Sequence, residues 1–452
     1  MRAFLLILSL IVFIILQING GFTSWEQLSI ALFVYFFLTF LLDLGKKVII
    51  LDFTILMGFI TCLIMPIVFY HVYTKQNPLA RLWVKYMPIS SDEYFSFAVP
   101  AILALILGIR LPILKLKFNK NPAGYLDNVR AYLAENPKLG LYLVGVGLGA
   151  GMLDFLAPGG LKEVFFLMAH LIFVGVFYVI YSPNKYKRFI VPGVILLMLG
   201  ESVATGMFGE LVFIFACSLV LLLLGIRVSF AKKLTFALLG IAIIILLQSV
   251  KADYRKRSWF HGGADAGYFT ELIADRLSSP SNIFDPAQMF VLSVRMNQGW
   301  LVAETMKMVP AKHPFGDGGP LAEAVAASVV PRFLWPDKPE AGGKANLKRF
   351  WGYNLVGWST NIGTLGEAYA NFDRTGGIAY MFFYGLFFNL GLSLILKKSE
   401  KRPTLILWLP FLFFSAIAVE TDLLSTMGAL VKSAIFAWIV FRAFDYFFHL
   451  KL

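Results

Sequence analysis

Four charged side chains between residues 251 and 376 have the types from which a site for anion binding and proton transfer can be built: Arg295, Arg332, Lys338 and Glu367. A guanidinium binds an anionic group through a planar fork of donors, and an ammonium adds a point charge. Glu367 follows two glycines, at positions 363 and 366, which allow close approach of another backbone segment. A carboxylate held in such a place can accept a proton from a hydroxyl group.

Two predicted helices and a stiff turn would position these side chains. Pro286–Val309 has the apolar periodicity of an amphipathic helix, which Arg295 interrupts. Leu321–Val330 is apolar but only about ten residues long, which is typical of a re-entrant or interfacial helix. The turn that follows, Pro331–Pro339, contains three prolines, and these fix the backbone and hold its two basic residues at the membrane surface.

The rest of the chain is too apolar for a soluble protein. Of its 452 residues 58% are apolar and 15% are charged, with a mean hydropathy of +0.74, whereas a soluble domain is about 25% charged. This composition excludes a cytosolic enzyme, a disordered protein and a secreted disulfide scaffold. The fold class is expected to be an all-α polytopic membrane protein with about twelve transmembrane helices. The predicted spans are 3–18, 26–43, 48–70, 95–113, 139–157, 162–181, 189–205, 209–226, 234–250, 377–396, 403–420 and 425–447.

Basic residues are distributed unevenly between the loops of this topology. With a cytoplasmic N-terminus, the inner loops contain 21 lysines and arginines, and the short outer loops contain 4, namely Lys75, Arg81, Lys85 and Lys162. Because positive charge collects on the inner side during insertion, both termini are expected in the cytoplasm. The formal net charge of +13 is then mostly an insertion signal whose partner is anionic lipid, which excludes nucleic acid.

Three regions follow from this topology. Residues 1–250 form a nine-helix transmembrane region, residues 251–376 a large extracytoplasmic loop, and residues 377–452 three C-terminal transmembrane helices. A connection as long as 251–376 is uncommon without structure of its own, so short re-entrant or amphipathic helices are expected in it, and function is expected to reside there. We also expect Lys432, inside the last span, to pair with Glu420 or Asp422; a proton path or metal site from those two acids is the alternative.

The order of motifs in Arg295–Gly377 resembles that of the bacterial Wzy-type polymerases of O-antigen and exopolysaccharide repeat units. The chain has an arginine-bearing helix, a PRxLWPxKP-like turn, a TxxxGEAYxNF stretch and then a glycine-led span. It departs from the pattern at Asp373, where a glycine is expected after Asn-Phe. The resemblance implies a multi-pass enzyme of the bacterial inner membrane with its large loop in the periplasm. Such an enzyme joins oligosaccharide units carried on undecaprenyl diphosphate.

The resemblance also implies roles for individual residues. Negative charge grows on the leaving diphosphate, and a metal ion or fixed cations must neutralise it. The sequence has no DxD, HExxH or clustered His/Cys spacing, so we expect no metal or cofactor. Arg295, Arg332 and Lys338 are expected to bind the diphosphate, with Glu367 as the catalytic base and the two arginines as further catalytic residues. Weaker candidates are His313, as a base, and Arg255, in a basic cluster after span nine.

Other interpretations stay open at the level of sequence. Arg295 could snorkel to the interface, Arg332 and Lys338 could bind lipid headgroups, and Glu367 could hydrogen-bond the backbone near its glycines. An O-antigen ligase shares the topology and the large loop. A transporter or flippase of lipid-linked oligosaccharides is a third possibility, although the chain shows no internal repeat. The partners implied for a polymerase are its lipid-linked substrate, the bilayer, a chain-length regulator and a flippase.

Overall fold

The computed structural model describes residues 1–114, 122–156, 158, 161–260, 266–332, 334–356, 359–414, 419–447 and 449–452, and all regular structure in these ranges is helical. The α-helices are α1 Arg2–Asn19, α2 Ser24–Asp43, α3 Ile50–Phe59, α4 Met65–His71, α5 Pro78–Leu82, α6 Ser91–Arg110, α7 Pro122–Glu135, α8 Leu139–Leu153, α9 Lys162–Ala169, α10 Leu171–Tyr181, α11 Lys187–Thr205, α12 Gly209–Leu223, α13 Phe230–Phe260, α14 Ala266–Ser278, α15 Pro286–Met296, α16 Gln298–Met308, α17 Gly319–Val329, α18 Lys344–Trp351, α19 Gly363–Ser399, α20 Leu409–Phe413 and α21 Leu423–Phe447. A π-helical turn, Ile60–Ile64, joins α3 to α4, and 3₁₀ turns occur at Asp154–Leu156, Pro280–Asn282 and Pro403–Trp408.

Long apolar helices dominate the described part of the chain. Nine are long and apolar enough to cross a bilayer, and three shorter apolar helices accompany them. The nine are Arg2–Asn19, Ser24–Asp43, Ile50–His71, Ser91–Arg110, Lys162–Tyr181, Lys187–Thr205, Phe230–Ser258, Gly363–Ser399 and Leu423–Phe447; the shorter three are Leu139–Leu153, Ile214–Leu223 and Pro403–Phe413. Each of these helices overlaps one of the predicted spans. The all-helical membrane architecture is confirmed, while the count of twelve spans stays a prediction.

Ion pairs and close helix contacts define two ends of the bundle. At one end Arg2 and Lys47 both pair with Asp43, at 2.7 and 3.1 Å. At the other end the buried Glu26 accepts a hydrogen bond from the Ser91 hydroxyl at 2.6 Å, at the start of α6. Helix α19 runs parallel to α6. Near the starts of both spans, Arg374 donates a hydrogen bond to Ser96 Oγ at 2.7 Å. Near their ends, Asn389 donates to Gly108 O and to Leu111 O, which directly follows α6. The loop between α13 and α19 therefore lies at the Ser91 end.

The segment between α13 and α19 is helical, but its helices differ from those predicted. The single helix predicted over Pro286–Val309 is wrong, because Asn297 (φ −89°, ψ 76°) divides it into α15 and α16. The Asn297 side chain accepts a hydrogen bond from Trp300 N at 3.0 Å, which caps α16. Helix α17 covers most of Leu321–Val330 and packs against α21. Helix α13 continues without interruption to Phe260, ten residues beyond the end of its predicted span.

A second break lies inside α19. Asp373 has φ 57° and ψ −163°, a conformation that residues other than glycine rarely adopt. It separates a buried N-terminal piece that contains Glu367 from the long apolar piece that begins at Arg374. The expected glycine and the observed backbone therefore agree, although the residue present is an aspartate.

Candidate functional site

A polar cavity of about 480 Å³ opens at the Ser91 end of the bundle. Its walls come from the junction of α15 and α16, the loop before α6, and three short segments near residues 342, 360 and 421. Two cations, Lys85 and Arg295, and one carboxyl group, Glu420, line it. The lining also contains amides, hydroxyls and aromatic rings, from Asn297, Gln298, Asn361, Ser359, Thr360, Thr421, Ser425, Trp300 and Phe69, together with Val294, Leu301 and Gly342. This chemistry suits a ligand that combines anionic groups with many hydroxyls.

Lys85 is held over an indole ring. Its Nζ lies 3.3 Å from the centre of the Trp300 ring, and Trp300 Nε1 donates a hydrogen bond to Tyr86 O at 3.1 Å, which fixes the ring. Burial lowers the pKa of Lys85 to about 8, although the nearby Glu304 raises it. Lys85 is therefore a partly desolvated cation whose charge changes close to neutral pH.

Arg295 stands between this cavity and a smaller one. The smaller cavity, of about 150 Å³, lies between α13 and α15 and is also lined by Lys251 and Gln288. Lys251 and Arg255 both interact electrostatically with Arg295, and Arg255 Nε donates to Gly206 O at 2.8 Å. Within the described ranges no carboxylate forms an ion pair with Arg295. The three cations thus form a positive cluster that shares Arg295 with the polar cavity.

Glu420 is the carboxyl group of the cavity. Burial raises its pKa above the usual value, because an apolar environment disfavours the charged form. Within the described part of the chain its side chain has no hydrogen-bond partner. The residues on either side of Glu420 are both held by hydrogen bonds from α19. Val419 O accepts from Thr364 N at 3.3 Å, and Thr421 O accepts from Thr364 Oγ1 at 3.2 Å. With respect to the described residues, Glu420 is therefore a free carboxyl group on a fixed backbone.

Glu367 lies behind the wall of the cavity and does not line it. It is 2% exposed. One carboxylate oxygen accepts from Asn346 Nδ2 and the other from Leu423 N, both at 2.7 Å. The carboxylate therefore joins α18, α19 and the first turn of α21. Asp422, beside it, accepts from Gly343 N at 3.1 Å and Ser425 N at 2.8 Å, which fixes two segments that form cavity walls.

Gly363, the first of the two glycines before Glu367, allows the close approach of another segment that the sequence predicts. Gly363 has φ +71°, and a Cβ atom there would lie 2.5 Å from Gln298 Nε2. Gln298 Nε2 donates to Asn361 O at 2.8 Å, so the glycine allows α16 to approach the segment before α19. At Gly343 an added Cβ would collide with Thr360 O, so this glycine allows the cavity segments near residues 342 and 360 to pack closely.

The remaining predicted cations lie elsewhere. Arg332 is exposed and donates to Pro336 O at 3.2 Å. Lys338 donates to Ala327 O and Val330 O, both at 2.9 Å, at the end of α17. Burial lowers the pKa of Lys338, and the charges of Arg332 and Lys432 lower it further. Of the three predicted diphosphate ligands, only Arg295 lines the polar cavity.

Two further sequence predictions can be compared with the structure. His313 is half-buried with its ring against Gly352, outside the cavity lining. The expected pairing of Lys432 with Glu420 or Asp422 is wrong, because Lys432 Nζ lies 2.9 Å from Glu163 Oε1 at the start of α9. Asp422 is instead committed to the backbone of Gly343 and Ser425.

Sequence reasoning missed Lys85 and gave Glu420 a different role. Lys85 was one of only four basic residues in the short outer loops, and it precedes α6, so its rarity there was the available signal. The sequence predicted Glu420 as a partner of Lys432, or as part of a proton path or metal site with Asp422. Its cavity position depends on long-range packing of α16, α19 and α21, which no local pattern reports.

Residues 133–401 match the family described as "Domain of unknown function (DUF8712)". This match covers more than half of the chain. The chain belongs to this family. Comparison with curated proteins and comparison with solved structures gave no match. The DUF8712 region contains Arg295 and Glu367, whereas Lys85 and Glu420 lie outside it on either side.

Proposed function

We propose that this DUF8712 protein is an integral membrane glycosyltransferase of the bacterial inner membrane that polymerises undecaprenyl-diphosphate-linked oligosaccharide units into a surface polysaccharide. In this proposal the chain crosses the bilayer about twelve times with both termini in the cytoplasm, and the cavity faces the periplasm. The observation that supports it best is the lining of the cavity, which combines two cations, a free carboxyl group, an indole ring and many hydroxyl and amide groups.

The cations would bind the diphosphate of the donor. Lys85 and Arg295 face the cavity, and Lys251 and Arg255 extend the positive field toward the bilayer side of Arg295. Exposed apolar side chains on the preceding turns of α13, such as Leu239 and Ile243, are typical of a lipid-facing surface. The diphosphate would therefore lie at Arg295, with its glycan in the polar cavity and its lipid chain toward α13.

Glu420 would act as the base, in place of Glu367. The acceptor hydroxyl oxygen forms a bond to the anomeric carbon, the bond from that carbon to the diphosphate oxygen breaks, and the diphosphate leaves with the electron pair. The hydroxyl proton passes to Glu420. Lys85 and Arg295 stabilise the charge that grows on the leaving group. Trp300 offers an apolar face to a sugar ring, and Glu367 is a positioning residue that holds the walls together.

Purified protein incubated with a synthetic undecaprenyl-diphosphate repeat unit tests the proposal. A ladder of products is expected, and Arg295→Gln, Lys85→Met and Glu420→Gln should each slow its formation by about 100-fold or more. Lys75→Met is the matched control, because Lys75 is exposed on the same connection and lies outside the cavity lining. A ladder made at the wild-type rate by all three variants would overturn the site.

The same experiment separates the proposal from its rivals. Transfer of a finished glycan to a lipid core, with no extension of repeat units, would identify a ligase. Movement of the repeat unit across a vesicle membrane without new glycosidic bonds would identify a flippase. Loss of the ladder with a chelator would show that a metal ion, and not fixed cations alone, neutralises the diphosphate.

A further inference from the structure

A second cavity, of about 230 Å³, lies among α9, α10, α12, α20 and α21. Its walls are mainly apolar, with the aromatic rings of Phe166, Phe173, Phe177 and Phe411 among them. The volume is below the roughly 300–1,000 Å³ typical of small-molecule sites. It therefore suits part of a single hydrocarbon chain, and its mainly apolar walls do not suit a sugar.

An ion pair stands at the edge of this apolar space. Lys432 and Glu163 both line the cavity, and their side chains are 50% and 54% exposed. An ionised group at membrane depth is unusual unless it binds something or faces a polar space. Lys432 also lies on α21 two turns after Ser425, which lines the polar cavity. At 1.5 Å per residue the two positions are about 10 Å apart along one helix.

Positive charge exceeds negative charge around Lys432. Lys338 interacts electrostatically with both Arg332 and Lys432, so the proline-rich turn brings two more cations to this side of α21. Glu163 is the carboxylate within ion-pair distance of Lys432 in the described residues. Lys338 is occupied by two carbonyl groups and Arg332 by one. Among the described residues, Arg332 therefore keeps most of its five donors for an external anion.

We infer that this cavity binds one acyl chain of an anionic glycerophospholipid from the surrounding bilayer, with the lipid phosphate held between Arg332 and Lys432. An apolar cavity beside an excess of cations matches the two parts of such a lipid. A single phosphate suits Arg332, most of whose donors have no partner among the described residues, whereas a diphosphate suits the larger cation cluster around Arg295. The inference stands independently of the proposed glycosyltransferase activity.

Lipid binding to the purified full chain tests this inference. Native mass spectrometry after delipidation, followed by titration with phosphatidylglycerol or phosphatidylcholine, should show one phosphatidylglycerol bound more tightly than phosphatidylcholine. Arg332→Gln and Lys432→Gln should each weaken phosphatidylglycerol binding about fivefold and leave phosphatidylcholine unchanged. Arg442→Gln is the matched control, since Arg442 is exposed on the same helix and lies outside the cavity lining.

Two further variants keep the test decisive if Lys432→Gln does not fold. Glu163→Gln releases Lys432 from its ion pair and should tighten phosphatidylglycerol binding severalfold. Phe173→Trp fills the cavity and should weaken it. Equal binding of the two phospholipids by wild type, or no change in Glu163→Gln, would overturn the inference. Tighter binding of undecaprenyl diphosphate than of phosphatidylglycerol, lost in Arg332→Gln, would overturn the choice of lipid.

Discussion

Two glutamates near the Ser91 end of the bundle have different environments, and this difference underlies the roles proposed for them. Both oxygens of Glu367 accept hydrogen bonds from the protein, and the side chain is closed off from the cavity. Glu420 faces the cavity and has no hydrogen-bond partner in the described residues. A base must reach its substrate and have a free lone pair. Only Glu420 meets both requirements, although Glu367 lies in the motif that carries the family resemblance.

Glu367→Gln is therefore expected to lower stability. A glutamine can accept from only one of Asn346 Nδ2 and Leu423 N, and its own amide group then faces a donor. The loss of one hydrogen bond, which leaves a buried donor unsatisfied, costs about 2 kcal/mol, and a lower midpoint of thermal unfolding in detergent should report it. Glu340→Gln is the control, because the Glu340 side chain is 66% exposed and surface pairs contribute little. An unchanged midpoint together with a 100-fold loss of activity would restore Glu367 as the base.

Loss of the Lys85 charge should set the alkaline limb of the pH profile of activity. Its pKa is lowered to about 8, so Lys85 loses its proton as the pH rises through 8, and an anionic substrate then binds less well. We expect kcat/KM to fall above pH 8. Lys85→Arg should move this limb upward by at least one pH unit, because a guanidinium stays protonated. Lys75→Arg should leave the profile unchanged. Identical profiles for wild type and Lys85→Arg would remove Lys85 from the site.

Among the helices, single residues determine where a long helical segment is interrupted. Asn297 and Asp373 both have non-helical backbone angles between two helices. The first break turns α16 so that Gln298 reaches Asn361 and Trp300 reaches Lys85. The second separates the buried Glu367 piece of α19 from its spanning piece. The junction at Asn297 lines the polar cavity, whereas the break at Asp373 lies outside its lining.

Asp373→Gly should stabilise the protein. The φ of 57° and ψ of −163° cost a non-glycine residue about 1–3 kcal/mol of strain. Glycine relieves this strain, but it also makes the unfolded chain more flexible, which offsets part of the gain in stability. A net gain of about 1 kcal/mol is expected as a higher unfolding midpoint. Asp373→Ala is the control, since it removes the same exposed carboxylate but keeps the strain. Equal midpoints for the two variants would show that the carboxylate, and not the backbone, sets the stability here.

The sequence predicted the spanning helices well and the site only in part, for one physical reason. A run of about 20 apolar residues is a local property, and desolvation of its backbone forces a helix whatever surrounds it. The site depends on contacts between distant segments. Local motifs single out Arg295 and Glu367, whereas Lys85 lies at the cavity because it packs over Trp300 of α16, which is distant in the sequence. The division of Pro286–Val309 was missed because its apolar periodicity continues across Asn297.

In the whole molecule, the distribution of charge in the sequence and the contacts between helices identify the same two ends of the helix bundle. One end contains Arg2, Asp43, Lys47, Asp52 and Arg110, and the charge partition of the sequence predicts that their loops are cytoplasmic. The polar cavity lies at the opposite end, with Lys85 and the segment between α13 and α19. One orientation therefore accounts for both the insertion signal and the position of the candidate site.

This orientation predicts which side of the membrane each end faces. Cys62 and Cys217 are both fully buried, so single cysteines introduced at exposed positions can report accessibility without removing them. In intact spheroplasts a membrane-impermeant maleimide should label Glu340→Cys, which lies on the cavity side, and should not label Lys398→Cys, which lies at the end of α19. Inside-out vesicles should give the reverse. Labelling of Lys398→Cys in spheroplasts would place the cavity in the cytoplasm, where a periplasmic polymerase could not use it, and would refute the proposed function together with the orientation.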